Sequence, residues 1–342
     1  PNSCLLLRYI QRKDNFRKML ISVIIPCFNE AEVIEKTWAK LSEVLTADEQ
    51  RRHEPYMHEL IFVDDGSSHA TMAKIKALAC QDHHLKYISF SRNFGKEAAM
   101  LAGLSYAAGD CVIIMDADLQ HPPELIPEMI DGWKDGYDQV IARRNRVGDN
   151  KRKTMAAHLY YKIINHIVDV KLTDGIGDFR LLDKKAVAAL VSMQEYNRFS
   201  KGLFSWIGFK QKIINYENRQ RAGGETKWSF KRLLSYGIDG LISFNNKPLR
   251  ACCVLGFFLV FISLIYILIT FIQIIAHGVD VPGYFSLISA VLIIGGVQLI
   301  SIGVLGEYIG RIYYEVKRRP HFLIQETNIA TENKTVSDVR KM

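Results

Sequence analysis

The chain has 342 residues, 49% hydrophobic and 23% charged, which is ordinary for a globular protein and leaves room for more than one structural unit. A formal charge of +8 favours anionic partners such as phosphates or an anionic leaflet. With no arginine-rich helix and no stacked-aromatic RNA motif, nucleic acid is set aside.

Residues 1–19 lack the long apolar region and small-residue cleavage site of a signal peptide, and are set aside as an N-terminal extension. Ile21–Cys27 is a short apolar, β-branched run closed by Asn29-Glu30, which predicts a buried strand and a turn. A helical pattern over Ala31–Leu45 follows, then a strand over Glu59–Val63 closed by Asp64-Asp65-Gly66-Ser67. Next come a helix over Ala70–Cys80, a strand over Leu85–Phe90, a helix over Lys96–Ala108 and a strand over Cys111–Met115. This alternation predicts a parallel sheet covered on both faces. Ligands of such sheets gather at the carboxyl ends of strands, where Asn29-Glu30, Asp64-Asp65 and Asp116-Ala-Asp118 all fall.

Two uncharged runs, Ala251–Ala276 and Tyr284–Gly306, are joined by a short Asp-Pro-Gly link. Each reaches the roughly 20 residues that a spanning helix needs, so a transmembrane hairpin is expected. Lys247 and Arg250 precede it, Arg311, Lys317, Arg318 and Arg319 follow it, and the link has no Lys or Arg. By the positive-inside rule both flanks, and the large domain with them, are expected in the cytoplasm. Residues 229–249 read as an amphipathic interfacial helix, with a helix packed on the sheet as the alternative. Residues 307–342 are read as a cytoplasmic helix and tail, polar and flexible from 325 onward. The six cysteines form no C-x-x-C pair and no zinc or disulfide spacing, as expected of reduced thiols in a cytosolic domain.

The strongest local pattern is Asp116-Ala-Asp118-Leu-Gln120. Two carboxylates one residue apart at a strand end can share a hard divalent cation, and that cation can neutralise a diphosphate; Gln120 can add a carbonyl oxygen. Asp64 and Asp65 can accept hydrogen bonds from a base or ribose, while Arg92 and Lys96 offer positive charge to phosphate or base. With no Walker loop and no strand-linked G-x-G-x-x-G, phosphate binding has to come from metal and side chains.

The strings PCFNE, VDDGS, SRNFGKEAA, DADLQHPPE, GDFRLLDKK and GGETKWS, with the two-helix hairpin after them, resemble the polyprenyl-phosphate glycosyltransferases over roughly residues 20–325. These are inverting family-two enzymes, here most similar to the bactoprenol glucosyltransferases and more distantly to dolichol-phosphate-mannose synthase. The resemblance implies an α/β GT-A catalytic domain with a Rossmann-like, mostly parallel sheet over 20–228. An interfacial amphipathic helix and a transmembrane hairpin (250–276 and 284–306) follow. It implies Mg2+ or Mn2+ on Asp116, Asp118 and Gln120, and a UDP-sugar on Pro26, Asn29, Glu30, Asp64, Asp65, Arg92, Lys96 and Asp116. The proposed base falls on Asp178 of the GDFRL string, with Asp174 as the alternative by analogy with dolichol-type relatives. Arg143, Arg144, Arg180, Arg221 and Lys227 are candidates to hold the acceptor's polyprenyl phosphate. A homo-oligomer, such as a tetramer, in the bacterial plasma membrane is also implied. A processive polysaccharide synthase fits less well, since only one hairpin is visible and GGETKWS stands in place of Q-x-x-R-W. A non-catalytic scaffold would have no need of Asp116, Asp118, Gln120 and Asp178 together.

Overall fold

The computed structural model describes residues 18–145, 173, 175–217, 247–277 and 283–330. Strands β1 (Leu20–Cys27), β2 (Met57–Asp64), β3 (Leu85–Phe90) and β4 (Cys111–Ile114) alternate with helices α1 (Ile34–Arg51), α2 (His69–Gln81) and α3 (Lys96–Tyr106). β1 pairs in parallel with both β2 and β4, and β2 with β3. Period-two alternation explains why β1 is apolar throughout. Ile21, Val23 and Ile25 pack with Leu41 and Leu45 of α1, while Ile24 packs on the other face with Ala98, Ala99 and Ala102 of α3. α1 starts at Ile34 rather than Ala31 because the Glu30 carbonyl accepts from the N–H groups of Val33 and Ile34 at 3.0 and 3.2 Å, closing a turn first.

The second half adds α4 (Ile126–Lys134), β5 (Gln139–Arg144), β6 (Ile176–Asp183), α5 (Lys184–Ser192), α6 (Ser200–Trp206) and β7 (Gln211–Tyr216). β6 inserts antiparallel between β4 and β5, and β5 pairs in parallel with β7. The sheet is therefore mixed and mostly parallel. Because β6 runs backwards, its first residues lie at the edge where β1, β2 and β4 end.

Two long helices, α7 (Lys247–His277) and α8 (Tyr284–Lys317), form the hairpin. They expose Phe257 (78%), Leu287 (67%) and Leu299 (73%); both are long and apolar enough to cross a membrane. At 1.5 Å per residue they run about 46 and 51 Å, against about 30 Å of hydrocarbon core. The surplus of α8 reaches the catalytic domain. Tyr314 stacks on Tyr196 with centroids 5.1 Å apart, and Glu315 accepts from the Tyr196 N–H at 2.8 Å.

Beyond α8 the chain returns to the sheet. β8 (Ile324–Thr327) pairs antiparallel with β3, giving the strand order β7-β5-β6-β4-β1-β2-β3-β8. Phe322 stacks on Phe90 at 5.1 Å, and Lys76 pairs with Glu326 at 2.6 Å. The expectation of a flexible tail is corrected for residues 325–330, since a four-residue strand too short to signal itself in the sequence completes the sheet edge. The predicted interfacial helix over 229–249 lies outside the described residues, apart from the first turn of α7.

α3 is tied to α6 through Glu97. Its carboxylate accepts from the Ser200 backbone N–H at 3.2 Å and, in a short contact, from the Ser200 hydroxyl. Burial pushes the Glu97 carboxyl up to about 7, more than the two bonds from Ser200 draw it down. A carboxyl with a raised folded-state pKa stabilises the fold below its unfolded pKa and loses that contribution as pH rises through the folded value. Thermal stability of the detergent-purified protein is therefore expected to decline between about pH 4.5 and 7, and Glu97→Gln should flatten that slope. Parallel melting curves for the two proteins across this window would exclude Glu97 as the source.

Candidate active site

The loops after β1, β2, β3 and β4 meet at one sheet edge and brace each other. Asn29 sits in the left-handed region (φ 56°) that Asn tolerates. Its N–H donates to Ser67 Oγ at 2.8 Å, and its Oδ1 accepts from the Ser68 N–H at 2.9 Å, joining the first loop to the second. Gly66, at φ +68°, lies so close to the third loop that a Cβ would come within 2.4 Å of the Arg92 carbonyl carbon. Only glycine meets both conditions.

Asp64 and Asp65 are buried beneath this rim, 1% and 3% exposed. Asp64 accepts from the Ser67 N–H at 3.3 Å and the Ser89 hydroxyl at 3.1 Å. Asp65 accepts from the N–H groups of Phe94 and Gly95 at 2.7 and 2.9 Å. Burial raises the Asp65 carboxyl above its usual range, against the pull of those two bonds. Both acids, expected to meet a base or ribose, thus have oxygens engaged by the loops that shape the rim. Arg92 is exposed beside them, with its guanidinium 4.2 Å from the Phe94 ring centroid. Pro26 is buried near the end of β1.

The centre of the site is Lys96, at the first turn of α3. Its Nζ lies 2.6 Å from Asp116 Oδ1 and 2.6 Å from Asp178 Oδ2. The sheet explains the meeting. β4 and β6 pair Ile114 with Arg180, and carrying that antiparallel register two residues further sets Asp116 opposite Asp178. Burial raises the Asp178 carboxyl, but Lys96, with Lys201 and Arg180, outweighs it and holds the group well below the usual carboxylate range. Asp178 is an ionised acid in this arrangement.

The D-x-D segment is held from below. Leu119 sits at φ 56°, a conformation that costs a non-glycine residue about 1–3 kcal/mol and clusters at functional sites. The kink lets the Gln120 N–H donate to Asp118 Oδ1 at 3.1 Å. His121 stacks on Phe179 at 5.1 Å, and its Nδ1 accepts from the Asp116 N–H at 3.3 Å. Burial lowers its pKa, which favours the neutral ring that this acceptor role requires. His121 and Leu119 stand inside the DADLQHPPE string, yet residue type alone gave no reason to single them out. Among the described residues no three His, Cys, Asp or Glu side chains gather in metal-ligating geometry. Asp116 and Asp118 nonetheless fit an ion that takes one or two carboxylates and completes its shell with phosphate oxygens and water, as Mg2+ does. The ammonium already held against Asp116 shows that this position accepts positive charge.

The acceptor-side candidates divide. Arg143 and Arg144 end β5, with Arg143 Nε donating to Asn215 Oδ1 at 2.7 Å. Arg180, expected among the residues that hold the acceptor phosphate, is buried instead. It is 2% exposed, its guanidinium lies 3.7 Å from the Phe204 ring centroid, and it donates to the Gly177 carbonyl at 2.6 Å. Burial lowers it to about 10 even with Asp178 nearby. Asp174, Arg221 and Lys227 lie outside the described residues.

Known proteins match both halves of the chain. The model for glycosyl transferase family 2 matches residues 22–191, and that for the GtrB C-terminal hairpin matches residues 247–312. The putative glycosyltransferase CsbB of Bacillus subtilis (strain 168) is 54% identical over 92% of this chain and 94% of its own. The SfII prophage-derived bactoprenol glucosyl transferase of Shigella flexneri is 41% identical over 91% and 99%. Among solved structures, the mannosyltransferase PcManGT from Pyrobaculum calidifontis, in complex with GDP-Man and Mn2+, aligns with a TM-score of 0.44 at 16% identity, over 61% of this chain and 58% of that one. The mixed sheet with its acid-lined edge is a GT-A fold, the hairpin makes the protein membrane-associated, and the chain is a glycosyltransferase that belongs to glycosyl transferase family 2.

Proposed function

We propose that this enzyme transfers a hexose, glucose foremost, from a UDP-sugar to polyprenyl (undecaprenyl) phosphate, with inversion and with Mg2+ or Mn2+. The product is a lipid-linked sugar for glycosylation of a cell-envelope polymer. The observation that carries the reading is the convergence of Asp116 and Asp178 on Lys96, which sets the donor-side D-x-D beside a second ionised acid. Relatives named bactoprenol glucosyl transferases, 41% identical over nine-tenths of the chain, support the acceptor and the sugar. N-acetylglucosamine is the alternative sugar.

In this reading an acceptor phosphate oxygen attacks the anomeric carbon. The bond from that carbon to the UDP oxygen breaks, and its electron pair leaves with the diphosphate. A divalent ion, when bound, would neutralise charge on the departing diphosphate. Asp116 and Asp118 would hold it, and His121 fixes the Asp116 backbone. A phosphate monoester is already largely ionised at neutral pH, with a second pKa near 6, so little base is needed. Asp178, held ionised beside Lys96 and so a weak base, acts by orienting the acceptor rather than by taking its proton. Arg143 and Arg144 on the rim, with Arg221 and Lys227 beyond the described residues, counter the acceptor's charge.

The paired ends of α7 and α8 lie on the catalytic-domain side of the hairpin, and both carry basic residues. This supports a cytoplasmic catalytic domain and cytoplasmic termini in a bacterial plasma membrane. A cysteine placed at Gly283 in a cysteine-free background should react with an impermeant thiol reagent on intact cells, and one at Asn333 only after lysis. The reverse pattern would invert the topology.

Asp118→Asn should fold and insert but lose most turnover. EDTA should silence the parent enzyme, and Mg2+ or Mn2+ should restore it. Full activity in chelator would refute the metal role. Asp178→Asn should leave UDP affinity in calorimetry nearly unchanged while kcat falls by roughly 10²–10⁴, the range of a positioned proton-transfer group, with the low end marking a purely orienting role. Loss of UDP binding in the folded variant would move Asp178 to the donor site.

A further inference from the structure

We propose that Lys96 is an internal counter-cation: it holds Asp116 and Asp178 together in the unloaded enzyme and leaves Asp116 when the divalent ion binds. The inference rests on the reading of Asp116 and Asp118 as ion ligands.

The starting point is charge. Asp116 and Asp178 face each other across the β4–β6 register, and two carboxylates so placed repel unless a cation lies between them. Lys96 Nζ sits there, 2.6 Å from each. Its backbone is fixed, because the N–H of Gly95 is bonded to Asp65 and the α3 helix begins at Lys96. Its charged end is not fixed in the same way. The side chain is 43% exposed, and an ammonium on a four-carbon stem is a point charge with free rotation, without the planar fork that locks an arginine onto a carboxylate. Of its two partners Asp116 is the more exposed, 31% against 15% for Asp178, so a divalent ion on Asp116 can compete for that carboxylate while the contact to Asp178 holds.

A lysine whose first role was to grip diphosphate would be expected to leave its ammonium clear of carboxylates. Lys96 instead engages both acids. On displacement it keeps its contact with Asp178, so the acceptor-side acid stays ionised and oriented while the donor side takes the metal. Lys96 is therefore a positioning residue that couples the two halves of the site.

The test measures ion binding without turnover. Purified full-length protein in detergent, free of nucleotide, is titrated with Mn2+ and the free ion is read by electron paramagnetic resonance. Lys96→Met should bind Mn2+ about tenfold more tightly, since a competing charge next to Asp116 is gone. Lys96→Arg, which keeps the charge, should stay near the parent. Unchanged or weaker binding in Lys96→Met, or equal tightening in Lys96→Arg, overturns the counter-cation role. Should Lys96→Met melt early in chelator, recovery of its Tm on adding Mn2+ supports the proposal, and no recovery overturns it. If the parent itself binds no Mn2+, or Asp118→Asn binds it as well as the parent, the ion-ligand reading fails and takes this inference with it. Failure confined to the Lys96 variants leaves that reading intact.

Discussion

The antiparallel insertion of β6 beside β4 is the constraint on which the site depends. Pairing in register from Cys111–Asp183 to Ile114–Arg180 delivers the start of β6 to the edge where the parallel strands end. Without that reversal, Asp178 would lie at the far end of the sheet from Asp116. The cost is two like charges facing each other, and Lys96 offsets it with an ion pair to each. Buried Arg180 adds positive charge beneath Asp178.

Around this centre the loops are held mainly by carboxylates and backbone N–H groups. Asp65 accepts from Phe94 and Gly95, which aims the start of α3 and therefore Lys96. Asn29 joins the first two loops, and His121 grips the backbone of Asp116. Acids that look in isolation like ligand contacts thus divide into two layers. Asp64 and Asp65 brace the loops from below, whereas Asp116 and Asp178 meet at Lys96.

The hairpin is joined to this same edge by more than a covalent linker. α8 is longer than a bilayer requires, and its end meets Tyr196. The chain then returns as β8 and places Phe322 against Phe90, one strand end away from Arg92 and Lys96. Phe90 also meets Phe94 edge to face at 5.8 Å. The segment that follows α8 and the loop that leads to Lys96 therefore share one aromatic cluster. Such packing ties the end of the hairpin to the catalytic domain by more than chain connectivity.

What the sequence determined by itself is what is written in local period and composition. The buried strands at Ile21, Glu59, Leu85 and Cys111, the two apolar helices and the acids after the strands all follow from residues a few positions apart. Each was legible without knowing its neighbours in space. The family strings also pointed to Asp116, Asp118 and Asp178. The tertiary structure alone decided which groups touch. Nothing beside Lys96 in the chain shows that two strands bring an acid to each side of it. Arg180 was an acceptor-phosphate candidate, and nothing beside it in the chain shows that Phe204 covers it. The segment over 324–327 looked like a tail until β3 offered an unpaired edge. Hydrogen bonds and ion pairs between residues tens to hundreds of positions apart leave no periodic trace, because either partner alone satisfies no local rule.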